Sequence, residues 1–439
     1  VLLDVRAGQG DGDALSDRAL ESAAAKVRRR LVPFLFLCYI FAYLDRINVG
    51  FAALQMNAAL GFSAAVYGFG AGIFFISYTA FEIPSNIILA KVGARRWIAR
   101  IMITWGLVSA AMMFVRDAPS FYALRFLLGA AEAGFFPGII YYLTRWVPAR
   151  ERARTIATFM TAVVTAGIVG GPISGALLTL DGAGGLAGWQ WMFLLEGLPA
   201  AAMGIVVLFV LKESPAEATW LEPDERAALQ SALTAETSVQ TERAHGVGEA
   251  LRHPWLWVLA LVYFVVPVAL YAFGFFLPQI LQAAFAGTPF QIGLLSAIPY
   301  LAGAVGMVVT SRHSDRTGER RWHVALGAAV AGAAFVGTAL VQGLAPSLVL
   351  LSIAMLGLAS MFGPFWTLAT SFVHGVGAAA GIALINSVGN VGGFVGPYGI
   401  GYLRDATGGF SAGLVAIGMI VILGGVLVLV VPDSNAPHT

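Results

Sequence analysis

Charge is what this 439-residue sequence has least of: 11% of its residues are Asp, Glu, Lys or Arg, against about 25% in soluble domains. A chain that is 58% hydrophobic, with a mean hydropathy of +0.80, cannot hide its apolar surface in water. The single cysteine, Cys38, excludes a disulfide framework within the chain and reads as a small apolar packing residue. The six histidines fall in polar breaks or at the ends of apolar runs, with no His-Glu-x-x-His and no thiol cluster, so neither a metal site nor enzyme chemistry is expected. A net charge of +2 is no nucleic-acid footprint.

What is present is apolar sequence in long runs. A membrane span needs ~20 mostly apolar residues. Twelve such stretches are predicted, near 31–54, 66–90, 97–115, 120–144, 155–179, 189–211, 254–281, 290–311, 322–342, 347–372, 379–402 and 410–432. With the N-terminus inside, 22 of the 26 Lys and Arg fall on the cytoplasmic side of this arrangement, as the positive-inside rule requires. The expected architecture is therefore an all-α membrane protein with twelve transmembrane helices in two six-helix halves and both termini cytoplasmic. Residues 1–30 read as a mobile cytoplasmic arm without a signal-peptide cleavage pattern, 31–211 as the first half and 254–432 as the second. Residues 433–439 read as a cytoplasmic tail. The acidic break at 212–253 reads as a cytoplasmic linker, with a surface helix starting at Pro223-Asp224-Glu225-Arg226 and a solvated acidic face.

Charges inside spans are costly, about 2.5 to 3.5 kcal/mol each at mid-bilayer on the insertion scale, and so mark function. Six are predicted: Asp45, Arg46, Glu82, Arg125, Glu132 and Glu196, all in the first half. Asp45 and Arg46 point about 100° apart around their helix, so that one can meet a neighbouring helix while the other faces a cavity. By depth, Asp45 and Arg125 could pair if their helices adjoin. Arg125 and Glu132, seven residues apart, share a face with ~10 Å between them along the axis, placing Glu132 nearer mid-membrane.

Two loops in corresponding places of the halves carry Gly93 before Arg95-Arg96 and Gly318 before Arg320-Arg321. With Asp315-Arg316-Thr317-Gly318 in the second loop, the chain resembles the major facilitator superfamily, whose loop between its second and third spans has a G-x-x-x-D-R-x-G-R-R/K pattern. The first copy departs from it, with Asn86 at the first Gly and Ala90 at the Asp.

A narrower resemblance spans most of the chain. Tyr43-Leu44-Asp45-Arg46-Ile47-Asn48, Tyr78 with Glu82-Ile83-Pro84, and the run Arg125 to Gly134 followed by Pro137 resemble the anion:cation symporter family within that superfamily. So do Asn386, Gly389-Asn390-Val391-Gly392-Gly393 and Gly396-Pro397. The run from Leu31 to Leu178 looks especially like bacterial importers of tartrate, phthalate or hydroxyphenylacetate. The resemblance implies proton-coupled uptake of a small organic carboxylate, with the proton as coupling ion and no cofactor, by a monomer in the bacterial inner membrane. It implies that Arg46 binds the substrate carboxylate, that Asp45 and Glu132 serve proton coupling, and that Arg125 pairs with the acids in alternation. Tyr43 and Tyr78 would line the pocket, Asn386 or Asn390 would add amide hydrogen bonds, and Trp366 would form a wall. One segment points elsewhere: Gly167 to Gly175 resembles the G-x-x-x-G-P-x-x-G pattern of superfamily antiporters, although small residues and Pro172 also serve helix packing.

Overall fold

A computed structural model describes residues 2–241, 254–372 and 377–432, and among them every regular element is helical. The helices are α1 (Leu2–Leu60), α2 (Ala64–Val92), α3 (Ala94–Ala111), α4 (Ala118–Glu132), α5 (Phe135–Thr144), α6 (Ala149–Leu178), α7 (Gly188–Val210) and α8 (Pro223–Thr241). They continue as α9 (Pro254–Ala284), α10 (Pro289–Thr317), α11 (Arg321–Leu340), α12 (Leu344–Ser360), α13 (Phe362–Ser371), α14 (Gly377–Thr407) and α15 (Ser411–Val428). The expected tail and the end of the expected linker lie outside the described residues.

Among the described residues, eleven segments are long and apolar enough to cross a membrane, α4 with α5 and α12 with α13 each counting as one. The stretch expected as the eleventh span lies in α14, whose first turn falls outside the described side chains and which is not counted among those eleven. Its glycines bring it against other helices: a Cβ on Gly392 would sit 2.6 Å from the Phe264 carbonyl oxygen, and one on Gly401 2.2 Å from that of Ala64. Small residues are what permit such close approach between membrane helices.

The packing repeats itself. In the first half α3 packs on α7, α1 on α6 and α2 on α4; in the second α11 packs on α15, α9 on α14 and α10 on α12. Numbering the apolar segments along each half, with α14 as the fifth of its half, these are the same three pairs. The halves meet through α2 on α14, α6 on α10 and α1 on α9. At the end away from the Arg95-Arg96 loop, the Asp405 carboxylate accepts hydrogen bonds from the backbone N–H groups of Ala64 (2.9 Å) and Ala65 (2.8 Å), joining α14 to the start of α2. Tyr67 on α2 donates to the Phe275 carbonyl of α9 at 2.9 Å.

Two expectations need correction. Residues 17–30 are not a loose arm: they continue the first span, making α1 59 residues and, at ~1.5 Å per residue, far longer than any bilayer core. Nor is the acidic face of the linker merely solvated. Glu225 of α8 is buried and accepts from Ser22 (2.7 Å) and Lys26 (2.8 Å) of α1, while Glu236 pairs with Arg152 of α6 at 2.8 Å. Arg30 lies 5.5 Å from the Trp220 ring, which stacks on Trp146, so the extended α1, the linker and the α5–α6 corner form one cluster.

Candidate functional site

The segment expected as one span at 120–144 is broken where the chemistry is densest. Asp117 starts α4 in a capping box with Ser120, and α4 stops at Glu132 because Ala133 leaves the helical conformation (φ −53°, ψ 130°). Gly134 then turns with φ +85°, where a Cβ would also lie 2.4 Å from the Ser85 hydroxyl, so only glycine suits the break. Glu132 thus sits at a helix end inside the molecule, 1% exposed.

Its carboxylate is ion-paired and hydrogen-bonded to Nη2 of Arg46. From the other half, the Tyr271 hydroxyl of α9 accepts from Nη1 of the same guanidinium at 3.3 Å, while Nε of Arg46 has no partner. The rings of Phe74 and Tyr78 lie 5.4 Å from the guanidinium carbon, within cation–π range. Phe74 is shared: the Arg125 guanidinium carbon lies 5.0 Å from the centre of the same ring, so one ring serves both guanidinium groups.

Arg125 is fully buried and bonds the carbonyls of Gly70 (3.3 Å) and Ala71 (3.0 Å) on α2, leaving Nη1 unpartnered. It forms no ion pair with Asp45, contrary to what depth alone suggests. Asp45 turns instead to α3, where Trp105 Nε1 and the Ser109 hydroxyl each donate to it at 2.8 Å, and Asn48 donates at 3.4 Å. The angular offset between positions 45 and 46 thus separates the two charges, one towards α3 and the other towards α4 and α9.

The remaining expected pocket residues are spread around this centre. Tyr78 lies against Arg46 and stacks with Phe74, whereas Tyr43 packs with Ile47 and Ala166 on the side of α1 facing α6. Asn390 of α14 is half-buried, with its Nδ2 unpartnered, and Asn386 lies one turn away, half-buried. Trp366 of α13 packs edge-on to Tyr263 of α9 at 4.9 Å. Tyr271, Phe74, Trp105 and Ser109 were not expected. Among 29 Phe and 12 Tyr nothing local marks Phe74 or Tyr271, though Trp105 and Ser109, four apart on one helix face, are spaced to grip a single group.

Chemically, Arg46 is a planar cation with an internal counter-ion, one hydroxyl partner from the opposite half and aromatic walls. Such a centre can exchange Glu132 for an external carboxylate. Among the described residues no group of His, Cys, Asp and Glu could hold a metal ion.

Two packed helical halves around a buried charged centre, with eleven apolar spans among the described residues, have the architecture of a multi-pass membrane transporter. The profile of the Major Facilitator Superfamily matches residues 35–397 and 259–439, and the chain belongs to that family. It is 48% identical over 410 residues to a protein of Agrobacterium vitis provisionally named a tartrate transporter, covering 93% of this chain and 91% of that one. It is 41% identical over 404 residues to a quinolone resistance transporter of Acinetobacter baumannii, covering 92% and 93%. In fold it is similar to a bacterial homologue of the human lysosomal transporter Spinster, with a TM-score of 0.79 at 18% identity over 94% of this chain and 99% of that one.

Proposed function

We propose that this transporter takes up a small organic anion, a hydroxy-dicarboxylate or an aromatic carboxylate, together with protons, across the bacterial inner membrane. The observation that carries the reading is the ion pair between Arg46 and Glu132, with Tyr271 reaching the same guanidinium from the opposite half. A substrate carboxylate and Glu132 compete for one cation. A proton on Glu132 releases Arg46 to the substrate, and loss of that proton inside returns Arg46 to Glu132 and expels the anion. Asn390, whose amide donor is free, and Tyr78 supply further contacts, while Asp45 is the second acidic group of the coupling machinery. The chain works as a monomer, with both termini and the basic loops in the cytoplasm and α14 as its twelfth span.

Uptake of labelled tartrate, phthalate and hydroxyphenylacetate into vesicles holding the purified protein tests this. Accumulation above equilibrium of at least one of them under an inward proton gradient, abolished by a protonophore, supports the reading; accumulation of neutral sugars alone contradicts it.

The relative named for quinolone resistance, with the Gly167 to Gly175 segment, favours a second reading, proton/organic-anion antiport or efflux. The two differ in sign: an antiporter accumulates substrate when the proton gradient runs outward from the vesicle.

A further inference from the structure

On the surface of the first half, α2, α3 and α4 leave a groove that has no part in the Arg46 centre. Phe81, Pro84, Ser85 and Ile88 of α2 line it with Trp97 and Arg100 of α3, and Ala130 of α4 completes the lining. Positions 81, 84, 85 and 88 share one face of α2, so the groove follows that helix for about 10 Å. Phe81 is 44% exposed and Ile88 39%, which opens it to the surroundings. Ala130 stands two residues before Glu132, about 200° around α4, so groove and ion pair lie on opposite faces of that helix.

Hydrogen bonding fixes the groove's polar end. Trp97 Nε1 donates to the Ser85 hydroxyl at 3.0 Å, which sets the indole plane, and the Arg100 guanidinium carbon lies 3.8 Å from the centre of the Trp97 ring. Among the described residues no hydrogen bond or ion pair reaches that guanidinium, and its Nε is buried without a partner. Arg100 is the seventh residue of α3, ~9 Å inside the end that carries the Arg95-Arg96 loop. A long cationic side chain reaches the headgroup layer from that depth.

Shape and charge together select the occupant. A cleft of about 300 Å³ along ~10 Å of helix has a cross-section of roughly 30 Å², far below the ~80 Å² of a helix ~10 Å across, so a single aliphatic chain fits and a partner helix does not. The lining carries no acidic side chain, so a zwitterionic headgroup would give Arg100 its phosphate and leave its ammonium unpaired. A headgroup whose phosphate is its only charge leaves nothing over, and basic pockets between membrane helices take such groups.

We propose that this groove binds one anionic glycerophospholipid, with its phosphate on Arg100 and one acyl chain along Phe81, Pro84 and Ile88. The site lies behind the break that presents Glu132, because Ser85 is the side chain that Gly134 must clear. It takes nothing from the transport reading and stands without it.

Native mass spectrometry of the purified full-length protein, released from detergent micelles holding equal amounts of phosphatidylglycerol and phosphatidylcholine, tests this without substrate. The parent should retain one phosphatidylglycerol. Arg100→Gln should bind it about tenfold or more weakly, as the loss of a charge-assisted bond requires, whereas Arg312→Gln, at an exposed arginine near the corresponding loop of the second half, should keep it. Ile88→Trp, which fills the groove and leaves Arg100 in place, should release the lipid too, and decides the matter alone if Arg100→Gln does not fold. Equal retention of the two lipids overturns the proposal, as does equal loss in Arg100→Gln and Arg312→Gln, which would mean general attraction to a basic surface. Soluble glycerol phosphate that displaces the lipid as readily as short-chain phosphatidylglycerol does would contradict the acyl groove. A lipid-free dimer that Ile88→Trp dissociates would give the groove to a second copy of the chain.

Discussion

Asp45 and Arg46 are adjacent in sequence but point about 100° apart around α1, and each fails differently when altered. Arg46 holds Glu132 and Tyr271 through separate guanidinium nitrogens, a geometry that an ammonium cannot reproduce. Arg46→Lys should therefore weaken substrate binding by about tenfold or more, the effect of losing one charge-assisted bond of ~1.5 kcal/mol, as read by calorimetric titration. Unchanged affinity would make Arg46 a structural partner of Glu132 only. Asp45→Ala should instead act on stability: it strands the buried Trp105 and Ser109 donors, at about 1 to 3 kcal/mol each, and should lower the Tm clearly. That these side chains carry weight was legible in the sequence, because intramembrane charge is rare. Their partners were not, since depth along two helices cannot say which faces meet: Arg125 went to α2 carbonyls and Asp45 to α3.

At the scale of the element, the spans were legible from apolar runs, but their breaks and extensions were not. The interruption after Glu132 depends on Gly134 meeting Ser85 of a neighbouring helix, a tertiary fact that a run of Gly and Ala does not announce. The N-terminal extension of α1 is polar and so read as a loose arm, although its partner is the acidic helix α8. Burial pushes the Glu225 carboxyl up, but hydrogen bonds from Lys26, Ser22 and the Glu222 backbone N–H outweigh it and hold the group below the ordinary glutamate value. A depressed carboxyl stabilises the docked state above its unfolded value and ceases to do so as pH falls through its folded one. A spin label at exposed Glu21 should thus become mobile on acidification, and in Glu225→Gln it should be mobile at neutral pH with little further response. Mobility independent of both pH and Glu225 would show that the latch does not hold the extension.

For the whole molecule, the repeated packing of the two halves leaves one end closed by Asp405 against the start of α2. Removing that clasp with Asp405→Ala should lengthen and broaden the distance between spin labels at Arg116 and Thr407, both exposed at that end. An unchanged distribution would place the closure in the glycine contacts of α2 and α14 instead. The fold was readable from charge distribution and run length; the closed end was not, because it joins positions 340 residues apart. The central claim is that Glu132 and the substrate share Arg46 and that a proton decides between them. It is tested most directly by Glu132→Gln in vesicles, measuring both accumulation under a pH gradient and exchange of labelled against unlabelled carboxylate. Gln imitates the protonated acid, so the account predicts that accumulation is lost while binding and exchange persist; full proton-driven accumulation by the variant would contradict it.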